Sequence, residues 1–226
     1  MAALKIDLYT DVECPWCIIG QHRLDKVLAE RFPALVVDIE HHPVILMPDG
    51  PPEGVRIADL LKSRYGVTDP AASWARPHAE ARASGLDLEL GRQPFAYPTL
   101  HAHTLIRLAR LRGTQHALAN ATSKAYFMDA QNISDARILA DIAVHHGFDF
   151  SEVIALLADP HEGMKTERQA ARSFEVGVRS VPHFVFGGRM ALNGGRSEDE
   201  LAQAIAAALN AGAIARGLSP SLEVNP

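Results

Sequence analysis

The chain has 226 residues, 47% of them apolar, 22% charged and 6% aromatic, which fits one compact domain carrying an insertion and excludes a disordered or low-complexity protein. A net charge of −5 at pH 7 supplies no basic field for a phosphate backbone, so no nucleic-acid partner is expected. Residues 1–7 lack a signal-peptide pattern, and no run reaches the roughly 18 apolar residues of a spanning helix; a soluble, cytoplasmic protein without membrane contact is expected.

The first forty residues read as strand, helix, strand. Residues 4–10 alternate, 15–30 carry helical spacing and 35–40 are β-rich. Ile18, Leu24, Val27 and Leu28 form the helix stripe expected to face a sheet, while Gln21, Arg23, Asp25 and Lys26 are expected to face water. Residues 41–54 contain Pro43, Pro48, Pro51, Pro52 and the turn signal Asp49-Gly50, which predict a loop. Residues 55–172 show almost no β-type alternation. One helix ends near Tyr65-Gly66, and another opens with Asp69 as cap and Pro70 in its first turn. Further helices are predicted over 99–112 and 114–130, over a segment capped by Ser134 and closed by Gly147, over 151–158, and over 166–175 before Gly177. Residues 183–186 and 189–192 flank Gly187-Gly188 as a hairpin. Ser197-Glu-Asp-Glu200 is a capping box opening a last amphipathic helix, and the tail after Ala211 is expected to pack loosely.

The two cysteines, Cys14 and Cys17, lie in Cys-Pro-Trp-Cys at the junction of the first strand and first helix. Pro15 suits the first helical position, which leaves Cys14 as N-cap, facing the unpaired amides and the positive end of the helix dipole; both favour thiolate. Cys17 sits one turn further in, near enough for a disulfide and better covered. An exposed low-pKa sulfur that attacks and a second thiol that releases the mixed disulfide are what thiol–disulfide exchange needs. Asp11 and Glu13 oppose thiolate formation, with solvent expected to screen them. The competing readings are two unreactive cysteines or a zinc site completed by some of the eleven histidines. No zinc-finger spacing follows, and the adjacent pairs His41-His42 and His145-His146 point apart on any regular element, so no metal is expected.

These features resemble the DsbA-like class of thioredoxin-fold oxidoreductases, in particular its FrnE-type subgroup. The matching pieces are Asp11-Val-Glu-Cys-Pro-Trp-Cys-Ile-Ile-Gly20, Ala102-His103, Tyr126-Phe127 and Gly177-Val-Arg-Ser-Val-Pro-His-Phe-Val-Phe186. The resemblance implies an α/β thioredoxin fold, residues 1–54 and 173–226, with a large α-helical insertion domain, residues 55–172. It also implies dithiol–disulfide exchange by Cys14 and Cys17. The family's late proline maps to Pro182, a cis residue in such proteins, and Val181 before it can pair with an extended substrate. His183 replaces the commoner apolar residue; it either faces the groove or sits in the strand. His103 lines the cleft over Cys14 or is a satisfied core histidine. Trp74, Phe95, Tyr97, Tyr126 and Phe127 roof a groove or are plain core, and Pro15 and Trp16, in the motif loop, are expected to meet substrate.

The sequence therefore predicts an enzyme acting on protein or small-molecule disulfides, with no cofactor beyond its own redox-active cysteines and with glutathione as a potential co-substrate. Two alternatives stand beside it. One is a glutathione-dependent isomerase or transferase of the kappa-class or 2-hydroxychromene-2-carboxylate isomerase type, whose members tend to carry Ser where Cys14 stands. The other is a chaperone-like module that binds apolar segments without redox turnover.

Overall fold

The computed structural model describes residues 3–215. Strand β1 (Leu4–Thr10) leads into helix α1 (Pro15–Arg31) and strand β2 (Val37–Pro43), and β1 and β2 pair in parallel from Leu4 opposite Val37 to Thr10 opposite Pro43. Strands β3 (Val55–Arg56) and β4 (Phe95–Ala96) form a separate two-residue antiparallel ladder, with helices α2 (Ile57–Tyr65) and α3 (Pro70–Ala83) between them. Helices α4 (Leu100–Ala109), α5 (Gln115–Phe127), α6 (Ala136–Ala143), α7 (Phe150–Ala158) and α8 (Pro160–Glu175) follow. Strands β5 (His183–Phe186) and β6 (Met190–Asn193) form the hairpin, and helix α9 (Glu198–Ala215) closes the described chain. The main sheet runs β2-β1-β5-β6, so strands from the two ends of the chain share one sheet while the helices between them pack beside it.

Much of this follows from local chemistry. Asp69 accepts from the Ala71 N–H at 3.0 Å and Pro70 opens α3. Gly66 and Gly147 take the left-handed conformation that ends a helical segment. Ser197 and Glu200 cap α9 reciprocally, the Glu200 N–H donating to Ser197 Oγ at 3.2 Å and the Ser197 N–H to Glu200 Oε2 at 2.9 Å.

Several boundaries differ from the sequence expectation. Register with β1 carries β2 through Pro43, shortening the loop expected over 41–54. The β3–β4 ladder is too short to leave a periodic signature. Asp135, not Ser134, caps α6, and its side chain accepts from the Arg137 N–H at 2.7 Å. Helix α8 starts at Pro160 because Asp159 caps it through the His161 N–H. Helix α9 continues past Ala211 to Ala215, and the rest of the expected tail lies outside the described residues.

Helix α1 joins two cores. Its first half places Ile18 and Ile19 among Leu105, Leu118, Tyr126 and Ile133 of the helical part. Its second half places Leu24 and Val27 among Ile6, Leu8, Phe184, Phe186, Leu201 and Ile205 around the sheet. The cysteine motif therefore stands near the seam between the two. The face of α1 expected to meet water is instead covered. Gln21 and Arg23 are buried, Arg23 only 4% exposed, because the end of α3 and the loop before α9 close over them. Arg23 donates to Ser84 Oγ at 2.6 Å, to the carbonyl and Oε2 of Glu80 at 3.0 and 2.6 Å, and to the Arg196 carbonyl at 2.9 Å. Asp25 and Lys26 are half-buried and bonded to His116 and Glu198. His41 and His42 do point apart: His41 is buried against His116 of α5, whereas His42 stacks on Tyr9 and meets Asp7.

Candidate active site

The turn from β1 to α1 runs through Asp11-Val-Glu and leaves Cys14 as the N-cap. The Cys14 N–H donates to the Asp11 carbonyl at 3.1 Å, and the Cys14 carbonyl accepts from the amides of Cys17 at 2.9 Å and Ile18 at 3.3 Å. The sulfur makes no capping hydrogen bond of its own, so the helix terminus acts on it through the field of the first-turn amides. Both cysteines are free thiols. The Cys17 S–H donates to the Cys14 sulfur; that bond contributes most to holding the Cys14 thiol below its ordinary range, and the Cys17 and Trp16 amides add to it against burial and the nearby Asp11. Burial comes first in pushing Cys17 well above the ordinary thiol range, followed by the engagement of its proton with Cys14. One thiol is disposed to ionise and the other is held protonated.

Cys14 is not exposed as the sequence suggested. It is 7% exposed, recessed in a cavity of about 340 Å³. Pro15 and Trp16 line this cavity beside it, and Ile57, Leu60 and Leu61 of α2, Trp74 of α3, and Tyr126 and Phe127 of α5 supply much of its apolar wall. Trp74, Tyr126 and Phe127 thus do border a groove, while Phe95 and Tyr97 stack on each other outside its lining. Trp16 is half-buried under the guanidinium of Arg76, 5.0 Å from its ring, and packs on Gly195. The cavity between Leu100 and Met164 contains no cysteine.

Contrary to the expected solvent screening, Asp11 is shielded from water and Glu13 is half-buried. Asp11 is 0% exposed; its Oδ2 accepts from the Leu46 N–H at 2.8 Å and its Oδ1 meets His103 Nε2 at 3.1 Å. Glu13 lines the cavity, and its Oε2 is buried without a hydrogen-bond partner. Burial first, then the charges of Asp11 and Cys14, push the Glu13 carboxyl up to about 9, with Arg64 and a hydrogen bond from the Tyr97 amide opposing. Arg64 and the α2 wall had no signal in the sequence beyond an amphipathic segment ending at Gly66.

The remaining expected site residues are placed as follows. His103 is 3% exposed on α4 and lies outside the cavity lining, a satisfied core histidine that touches the motif only through Asp11. The Val181–Pro182 peptide is cis. Pro182 is buried against α1 at Gly20, where an added Cβ would lie 3.0 Å from both Pro182 Cγ and Phe184 Cζ, so glycine permits this close approach. Val181 is half-buried at the entry to β5. His183 sits in the strand, bonded to Asn193 and edge-on to Tyr9, away from the thiols' cavity. Among the described residues, Asp7, Glu40 and His42 form a cluster of potential metal donors within 4.8 Å of one another, but the Lys5 ammonium already bridges its two carboxylates. Neither cysteine belongs to such a cluster.

A family model described as a DSBA-like thioredoxin domain matches residues 5–206. The chain belongs to the DsbA-like thioredoxin domain family. Its sheet and helical insertion are therefore the thioredoxin fold that the motifs implied. This DsbA-like chain is similar to the crystal structure of a probable DsbA oxidoreductase from Streptomyces coelicolor, with 26% identity, a TM-score of 0.82, and coverage of 98% of this chain and 94% of that one. It shares its fold with a 2-hydroxychromene-2-carboxylate isomerase at 17% identity and a TM-score of 0.70, over 95% of this chain and 99% of that one. It likewise shares it with the cytosolic disulfide reductase DsbM from Pseudomonas aeruginosa, solved with GSH, at 16% identity and a TM-score of 0.61, over 94% and 99% of the two chains. No helix among the described residues of the DsbA-like chain is long and apolar enough to cross a membrane.

Proposed function

We propose that this DsbA-like chain is a cytoplasmic thiol–disulfide oxidoreductase of the FrnE-type subgroup, with Cys14 as nucleophile and Cys17 as resolving thiol. The observation that carries the reading is the unequal pair: Cys14 is activated at a helix N-terminus and borders a cavity, and Cys17, fully buried beneath it, gives its S–H to Cys14. In the forward reaction the Cys14 thiolate attacks a substrate disulfide and releases one thiol. Cys17 then attacks Cys14, releases the second thiol and leaves a Cys14–Cys17 disulfide; two electrons pass from the pair to the substrate. Pro15 and Trp16 contact the bound disulfide, and the backbone at Val181 and Pro182 pairs with an extended segment when the substrate is a polypeptide. No cofactor is required, and glutathione serves as co-substrate, a role supported by the shared fold with the reductase solved with GSH.

The second reading, a glutathione-dependent isomerase, is supported by the shared fold with the 2-hydroxychromene-2-carboxylate isomerase. It needs no second cysteine, and the intact pair weighs against it. A Cys17→Ala variant separates the two. Treated with glutathione disulfide, it is expected to stop at a stable mixed disulfide on Cys14, seen by intact mass, whereas the wild type proceeds to the internal disulfide and both glutathione halves leave as thiols. A variant that acquires no adduct, yet conjugates or isomerises a non-disulfide electrophile with glutathione at the wild-type rate, would establish the isomerase reading instead.

A further inference from the structure

Among the described residues that line the cavity at Cys14, Glu13 is the one with a buried, unpartnered polar atom. The carboxyl lies immediately before Cys14 in sequence and borders the same cavity, and its Oε2 accepts no bond from any group around it. An ionised carboxylate in that position would have only Arg64 and the Tyr97 amide against its burial and would repel the Cys14 thiolate, whereas a protonated one escapes both penalties. The charged and titratable neighbours are Asp11 and Cys14 on its own segment, Arg64 from α2, Tyr97 after β4, whose amide donates to the carboxyl, and Tyr126 from α5. Asp11 cannot take the same part, because it lies outside the cavity lining and both its oxygens are already engaged, by the Leu46 amide and by His103.

We propose that Glu13 is the proton donor to the sulfur that leaves when Cys14 attacks a disulfide in this cavity, an assignment that rests on the exchange reaction proposed above. In that step the Cys14 thiolate forms a bond to one substrate sulfur and the substrate S–S bond breaks. The departing thiolate takes the Glu13 proton and leaves as a neutral thiol, and Glu13, now a carboxylate, recovers a proton from solvent once the product has gone. An alkyl thiolate is a poor leaving group and gains from the donated proton, whereas an aromatic thiolate of low pKa leaves without it.

The test compares glutathione disulfide with a dithiobis-nitrobenzoate as substrates of the full chain. Glu13→Gln, reduced beforehand and freed of reductant, is expected to reduce glutathione disulfide in a single turnover at pH 7 with a second-order rate constant about a hundredfold below the wild type's, and the aromatic disulfide with one less than about threefold below. Equal losses with both would overturn the assignment and leave Glu13 a packing residue. In the wild type alone, the single-turnover rate constant for glutathione disulfide should fall as pH rises through about 9, where Glu13 loses its proton, while that for the aromatic disulfide should not; identical profiles would also overturn it. The folded-state pKa lies above the ordinary value of 4.5, so the folded chain holds a proton that the unfolded chain has lost, and wild-type stability declines between those pH values. Glu13→Gln should therefore melt higher than the wild type at pH 8 and alongside it at pH 4, which shows that any lost activity does not come from unfolding; a variant melting lower at both would count against the buried acid. A wild type that reduces neither disulfide would instead refute the exchange reaction itself.

Discussion

Cys14→Ser is expected to lower kcat/KM for disulfide reduction by at least about three orders of magnitude, because a hydroxyl cannot ionise near neutral pH and no other side chain in the cavity is a sulfur nucleophile. Oxygen for sulfur is a small change at this N-cap. The turn is held by backbone bonds from Cys14 to Asp11, Cys17 and Ile18 rather than by the side chain, so the variant should melt within a few degrees of the wild type. Turnover of the same disulfides by Cys14→Ser at a tenth of the wild-type rate or more would remove Cys14 from the nucleophile's role. Because Cys17 is buried and held protonated, it cannot substitute for the missing sulfur without the helix opening.

The second large effect concerns stability. Arg23→Ala is expected to cost about 1.5–3 kcal/mol, the range for losing hydrogen bonds to a charged group, since Glu80 keeps access to water, and thus to lower Tm by about 2–4 °C per kcal/mol. The guanidinium holds together α1, the end of α3 at Glu80 and Ser84, and the loop at Arg196. Its removal takes the donor from Ser84 Oγ and from the Arg196 carbonyl, while the Glu80 carbonyl keeps its bond from the Ser84 hydroxyl. Trp16 packs on Gly195 in that same loop, so loosening there should also raise the accessibility of the cysteine motif to alkylating reagents. A thermal melt within about 2 °C of the wild type would show that neighbouring groups satisfy these bonds without Arg23.

Parts of the architecture governed by local rules were legible in the sequence. The β1-α1-β2 unit, the caps at Asp69 and Ser197, the helix ends at Gly66 and Gly147, and the β5–β6 hairpin all follow from residue types within a few positions of each other. The N-cap position of Cys14 was legible for the same reason, since Pro15 and the strand–helix junction fix which cysteine caps α1, whereas its burial was not. What escaped was set by chain segments far apart. Arg23 reads as a solvent residue until Ser84, 61 positions away, and Arg196, 173 positions away, close over it. Asp11 reads as an exposed turn residue until His103, 92 positions away, arrives on α4. The recess around Cys14 has the same origin: α2 and α3 form part of its wall, and nothing in their sequences says that Leu60 or Trp74 should face a thiol rather than one another. Glu13 was visible as an acid beside a cysteine, but its burial, which reverses its protonation at neutral pH, was not.

The central claim is that Cys14 and Cys17 exchange two electrons as a pair. The most direct measurement is their thiol–disulfide equilibrium against defined glutathione ratios, quenched by alkylation and read by intact mass, with zinc content determined on the same sample. A single reversible transition between doubly alkylated and unalkylated metal-free protein is the predicted result. Two cysteines alkylated at every ratio, or a stoichiometric zinc ion protecting both, would contradict the account.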